Sequence, residues 1–149
     1  MQELTHYIGG AHVKGTSGRF AEVYNPATGE VQAKVPLATA AEMDKAVKIA
    51  AAAQPAWAAV NPQRRARVMM KFVTLLNRDM DKLAEALSRE HGKTLPDAAG
   101  DVQRGLEVVE YCIGAPQMLK GEFTDGAGPG IDIYSMKQAL GVSAGITPF

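Results

Sequence analysis

The chain has 149 residues, 46% hydrophobic and 21% charged, which is enough for one packed core and ordinary for a globular protein. Its 16 basic and 16 acidic residues cancel, so charge offers no case for nucleic acid or an anionic membrane as a partner. The single cysteine, Cys112, excludes an internal disulfide and any multi-cysteine metal site and suits a reducing compartment.

Met1-Gln-Glu-Leu-Thr-His6 lacks the basic start and apolar stretch of a secretory leader, and the alanine-rich run at 49–53 is far too short to span a bilayer. The expectation is a cytosolic protein. Tyr7-Ile8, Gly9-Gly10 and His12-Val13 read as strand, two-glycine turn and strand. Phe20–Tyr24 alternates and stops at the turn Asn25-Pro-Ala-Thr-Gly29, after which Glu30–Val35 alternates again. Together these predict a small antiparallel sheet.

Three helices are predicted next. The first opens on the capping pattern Thr39-Ala-Ala-Glu42 and carries an apolar face of Met43, Ala46, Val47 and Ala50, with Pro55 expected to bend or end it. A second begins at Asn61-Pro62. It carries the stripe Met69, Phe72, Val73, Leu76, Met80, Leu83 and Leu87, and ends at Gly92. Thr94-Leu-Pro-Asp97 opens the third, with Val102, Leu106, Val109 and Ile113 facing the core, Gly114 and Pro116 weakening it and Gly121 ending it. Asp125-Gly-Ala-Gly-Pro-Gly130 reads as a loop without regular structure, Ile131–Ser135 as a strand, and the apolar run Gly141–Phe149 as a buried strand. The order of strands, helices and strands makes the fold class mixed α/β.

Few residues stand out for chemistry. Gly92-Lys93-Thr94 looks like the tail of a phosphate loop, but the glycine that such a loop needs five positions earlier is Leu87, so a helix stop followed by a helix start explains it better. Gly126–Gly130 is interrupted by Pro129 and leads into no helix, which does not suit a dinucleotide fingerprint. Cys112 lies mid-helix as a small hydrophobe, and His6, His12 and His91 have no metal-ligand spacing. No catalytic residue and no metal site is assigned. Arg104 sits between Gly100 and Gly105, on the helix face of Asp101 and Tyr111 and away from the core stripe. Its guanidinium there is suited to gripping a carboxylate with two hydrogen bonds, although spacing alone favours a solvated arginine.

Taken in order, Ile8-Gly-Gly10, Asn25-Pro-Ala-Thr-Gly-Glu30, Pro55-Ala-Trp57, Glu90-His-Gly-Lys-Thr94 and Gly141-Val-Ser-Ala-Gly-Ile-Thr-Pro-Phe149 make the chain resemble the start of an aldehyde dehydrogenase. Asp101-Val102, Arg104-Gly105 and Val108-Val109-Glu110 look most like the CoA-acylating methylmalonate-semialdehyde branch of that family. The resemblance implies an α/β fold: a small antiparallel β segment, three helices and the start of a Rossmann-like NAD-binding sheet at Gly141. It implies that residues 1–149 are an incomplete N-terminal part of the NAD-binding domain, with part of an oligomerisation arm at about 124–140 and no catalytic domain. It further implies NAD as cofactor, CoA as co-substrate, a small semialdehyde as substrate and a homodimer or homotetramer in the full-length form. In the family a cysteine thiolate attacks the aldehyde, hydride passes to NAD and a thioester remains. This branch loses carbon dioxide and yields propionyl-CoA or acetyl-CoA.

By the same resemblance, Arg104 matches the arginine that holds the substrate's carboxylate, while Thr147 and Phe149 match positions lining the NAD site. Cys112 does not match the nucleophile. The motifs run out after roughly the first third of the family's length, so the segment alone is expected to be inactive. A non-acylating relative acting on another aldehyde, and a non-catalytic helical binding module, are the competing readings.

Overall fold

The computed structural model describes residues 2–147. β1 (Gln2–Glu3), which nothing in the sequence announces, pairs in parallel with β5 (Val31–Pro36). The other edge of β5 pairs antiparallel with β4 (Phe20–Tyr24), so the sheet order is β1-β5-β4, with Ala33 of β5 buried. The turn between β4 and β5 is built by Asn25, whose Oδ1 accepts from the Ala27 amide at 3.0 Å and whose carbonyl accepts from the Gly29 amide at 2.7 Å. β2 (His6–Ile8) and β3 (Ala11–Val13) form a separate hairpin. Gly9 and Gly10 turn it with φ of 62° and 81°, the doubly positive pair that a two-residue turn matched to strand twist requires.

α1 (Ala40–Ala59) starts where its capping pattern predicts. The Thr39 hydroxyl accepts from the Glu42 amide at 3.1 Å, and the Glu42 carboxylate accepts from the Thr39 amide at 2.7 Å. The same carboxylate accepts from the Thr16 amide at 2.7 Å, which ties the β3–β4 loop to the helix start. These amide hydrogen bonds, Thr39 first and Thr16 second, hold the Glu42 carboxyl down to about 2 from an ordinary 4.5. A group whose folded pKa is depressed stabilises the fold fully above its unfolded value and loses that contribution as pH falls through the folded one. Amide protection of Thr16 and Thr39 is therefore expected to decline between about pH 4.5 and 2. In Glu42→Gln, which keeps one of the two acceptor oxygens, protection of one of the two amides is expected to be low already at neutral pH, as hydrogen exchange read by NMR will show.

Two expectations for α1 do not hold. The helix does not end at Pro55 but continues to Ala59, because both Pro55 and Ala51, whose carbonyl loses its amide partner, are exposed and water can take the vacant hydrogen bond. The predicted core face is also mostly wet: Ala46 is half-buried, but Met43, Val47 and Ala50 are exposed. A helical stripe marks the side a helix would bury without supplying the partner that buries it.

The predicted second helix is two. α2 (Pro62–Arg78) and α3 (Met80–His91) meet at Asp79, whose φ and ψ of −106° and 16° break the helix for one residue. The Asp79 side chain makes no cap hydrogen bond to the backbone there; its carboxylate instead takes Arg78 at 2.6 Å and Lys82 at 3.3 Å. Of the predicted stripe, Met69, Val73, Leu76, Met80 and Leu87 are half-buried while Phe72 and Leu83 remain exposed. The deepest positions are instead Ala66 on α2 and Ala84 on α3, small residues that let helices approach closely.

Gly92, at φ 83°, closes α3 as predicted, its amide donating to the Ser88 carbonyl at 2.8 Å. α4 (Leu95–Ile113) then packs on both α2 and α3, burying Ala98 completely and Leu106 to 3% exposure, with Val102, Val109 and Ile113 half-buried beside them. It ends earlier than Gly121. Gly114 closes it, and the short α5 (Ala115–Met118) follows. The glycine-rich stretch predicted to be a loop is largely strand. β6 (Phe123–Gly128) pairs antiparallel with β7 (Ile131–Tyr134) through a bulge, around a Pro129-Gly130 turn in which Gly130 has φ 68°. Gly126, at φ 62°, absorbs the irregularity, and its amide donates to Asp132 Oδ1 at 2.9 Å. The predicted final strand does not form over Gly141–Thr147. These residues are exposed and pair with no other strand among the described residues, and a strand exists only as a paired ladder.

Candidate functional site

The site is built on the corner between α3 and α4. Thr94 caps α4, its hydroxyl accepting from the Asp97 amide at 3.4 Å, and Pro96 in the first turn has no amide to satisfy. Just before the cap, the Ser88 hydroxyl donates to the Lys93 carbonyl at 2.7 Å and fixes Lys93 against the incoming helix. The Lys93 side chain is only 11% exposed, and its ammonium bonds Asp101 Oδ2 directly, with Asp97 Oδ2 3.6 Å away. The Gly92-Lys93-Thr94 tripeptide is thus a helix stop and a helix start whose lysine is spent on carboxylates, not on a phosphate.

Asp101 carries a second cation. Arg104 Nη1 donates to its Oδ1 at 2.6 Å, one helical turn on, while the Arg104 side chain remains 72% exposed. Hydrogen bonding to Lys93, followed by the nearby charges of Lys93 and Arg104, lowers the Asp101 pKa. Asp101 in turn raises that of Lys93, so each of the two favours the charged form of the other. Beside Arg104, a Cβ placed on Gly100 or Gly105 would meet nothing within 4 Å, so the helix surface there is open. With one Nη committed to Asp101, the rest of the guanidinium fork is directed at solvent and is suited to an incoming carboxylate.

Of the three residues singled out from sequence, Arg104 sits on the exposed face predicted for it. Thr147 is exposed in the extended run and shares no hydrogen bond with Arg104, and Phe149 lies outside the described residues. Cys112 is exposed on α4. Lys93 and Asp101 were missed as partners. The spacing of Asp101 and Arg104 was legible as a helical pair, but the link from Lys93 to Asp101 crosses a helix start and has no fixed spacing. No helix among the described residues is long and apolar enough to cross a membrane.

Among the described residues the N-termini of α1, α2 and α4 are taken by their own caps, Thr39 with the Glu42 carboxylate, Asn61 and Thr94, while that of α3 has no side-chain cap.

The aldehyde dehydrogenase family profile matches residues 12–149, and the chain belongs to that family. Within it, the chain is 48% identical over all 149 residues to the malonate-semialdehyde dehydrogenase of Pseudomonas aeruginosa and spans 30% of that protein. It is 46% identical over 143 residues to a methylmalonate-semialdehyde/malonate-semialdehyde dehydrogenase [acylating] of Dictyostelium discoideum, spanning 27% of it. Among solved structures, one from Sinorhizobium meliloti in complex with NAD, described as a methylmalonate-semialdehyde dehydrogenase, superposes with a TM-score of 0.90. Its sequence is 63% identical, and the match covers 95% of this chain and 29% of that one. The methylmalonate-semialdehyde dehydrogenase of Oceanimonas doudoroffii superposes with a TM-score of 0.87 at 42% identity, covering 93% of this chain and 28% of its own. The chain therefore spans under a third of the length of these relatives.

Proposed function

We propose that the chain is the N-terminal portion of an NAD-dependent dehydrogenase that oxidises malonate or methylmalonate semialdehyde and transfers the acyl group to CoA, with loss of carbon dioxide. The observation that carries this reading is the 48% identity to a malonate-semialdehyde dehydrogenase along the whole chain, with Arg104 exposed on an open helix face. An aldehyde that also bears a carboxylate needs a cation where that group leaves water, and the guanidinium fork of Arg104 meets the need. NAD is supported by the Sinorhizobium structure, and CoA by the relative named as acylating. Thr147 and Phe149 belong to this proposal as residues beside NAD. The exposed Ile131, Ile133 and Tyr134 on β7 belong to it as part of an arm, at about 124–140, that joins two or four copies. A cytosolic location goes with it on the pattern of the bacterial relatives, whereas the Dictyostelium relative is named mitochondrial.

The reaction belongs to the full-length enzyme. Within the described residues, the exposed Cys112 has no hydrogen-bonded base to make it a nucleophile. The test is NADH and acyl-CoA formation from malonate semialdehyde, NAD and CoA. The full-length chain carrying this segment is expected to form both, and the 149-residue chain neither. Turnover of simple aldehydes alone by the full-length chain would overturn the substrate reading, and NADH formation by the short chain would overturn the division of labour.

A further inference from the structure

Resting on the reading of Arg104 as the arginine that takes the substrate carboxylate, we propose that Asp101, clamped by Lys93, is the residue that positions Arg104 and so sets the preference for a carboxylated aldehyde.

Three observations carry it. First, Arg104 is long, exposed and on a helix surface, where a guanidinium left to itself spreads over many rotamers that binding would have to freeze. Second, one of its nitrogens is already held, by Asp101 Oδ1 at 2.6 Å, which restrains the guanidinium while the side chain as a whole stays 72% exposed. Third, Asp101 is itself fixed. Its other oxygen is taken by the ammonium of Lys93, whose stem is nearly buried and whose backbone is anchored by Ser88 and by the turn at Gly92. An isolated exposed pair one turn apart on a helix would orient little. Here the carboxylate in the middle is 23% exposed and bonded from the inner side by a lysine that cannot wander.

Lys93 has a second effect. A lone Asp101 would repel the incoming carboxylate and compete with it for Arg104. With its charge shared between Lys93 and Arg104, Asp101 orients the guanidinium without cancelling it. The arrangement runs from the end of α3 through Lys93 and Asp101 to Arg104, so the corner of the fold fixes the direction of the fork.

The experiment compares malonate semialdehyde with propanal in the full-length enzyme carrying this segment, by steady-state NADH formation with CoA present. The readout is the ratio of kcat/KM for the two aldehydes, from which the amount of correctly folded enzyme cancels. Asp101→Asn is expected to lower that ratio about tenfold through KM for malonate semialdehyde, and Asp101→Glu to restore most of it. Lys93→Gln, which leaves Asp101 in place but unclamped, is expected to lower the ratio in the same direction. A ratio unchanged or raised in Asp101→Asn would overturn the proposal, a rise meaning that Asp101 competes with the substrate. Wild-type enzyme that oxidises propanal and not malonate semialdehyde would overturn the substrate reading itself, and the proposal with it.

Discussion

Arg104→Leu in the full-length enzyme is expected to lower the kcat/KM ratio of malonate semialdehyde over propanal about a hundredfold, mostly through KM. Leucine keeps the bulk of the side chain and its helix propensity, so α4 is not disturbed by the change itself. What disappears is a charge-assisted, two-pronged grip on a carboxylate. Such hydrogen bonds contribute about 1.5–3 kcal/mol each, and about 3 kcal/mol in total corresponds to roughly two factors of ten. Propanal has no second carboxylate and loses no partner. Arg104→Lys should fall between the two, losing about tenfold, because an ammonium keeps the charge without the planar fork. A ratio within twofold of wild type in Arg104→Leu would mean that the exposed arginine is a solvated helix residue and that the substrate's carboxylate is read elsewhere.

The fold was most legible where a single residue type has a local physical job. Gly9-Gly10, the Asn25–Gly29 turn, the Thr39 and Glu42 box, the Asn61-Pro62 start and the Gly92 stop all stand where predicted, since each is decided by backbone hydrogen bonds within a few residues. The misses have a common origin in distance along the chain. The apolar rows on the two sides of Asp79 stay in phase, so periodicity alone does not register the one-residue break. β1 exists because β5 has a free edge 31 residues on, at Ala33 opposite Gln2. β6 survives its glycines because β7 comes back beside it, and Gly141–Thr147 fails to become a strand for want of such a neighbour. For the candidate site, residue type and helix face placed Arg104, but its geometry depends on Lys93, eight positions before Asp101 and across a cap where no helical spacing applies. The face of α1 shows the same limit. Its periodicity is real, yet Met43 and Val47 are exposed.

Leu106→Ala is expected to destabilise the fold by about 2–5 kcal/mol, read as a shift in the urea midpoint, while Leu106→Met should cost less than about 1.5 kcal/mol. Among the described residues the buried ones are four alanines, Ala33, Ala66, Ala84 and Ala98, with Pro36 on β5 and Leu106, and on the helices Leu106 alone supplies a large buried side chain. Alanines let α4 sit close to α2 and α3 but contribute little apolar area, so the transfer of Leu106 out of water weighs heavily in their association. Truncation leaves a void that helices already in contact through small residues cannot close. The same helix carries Arg104 two positions earlier, on its opposite and open face. This separation gives the measurement a second use. Because Leu106 touches the core and Asp101 the guanidinium, Leu106→Ala should lower the unfolding midpoint with the aldehyde selectivity ratio kept, whereas Asp101→Asn should do the reverse. A fall in both for Leu106→Ala would show that the arginine's aim depends on how firmly α4 is seated, and not on its clamp alone.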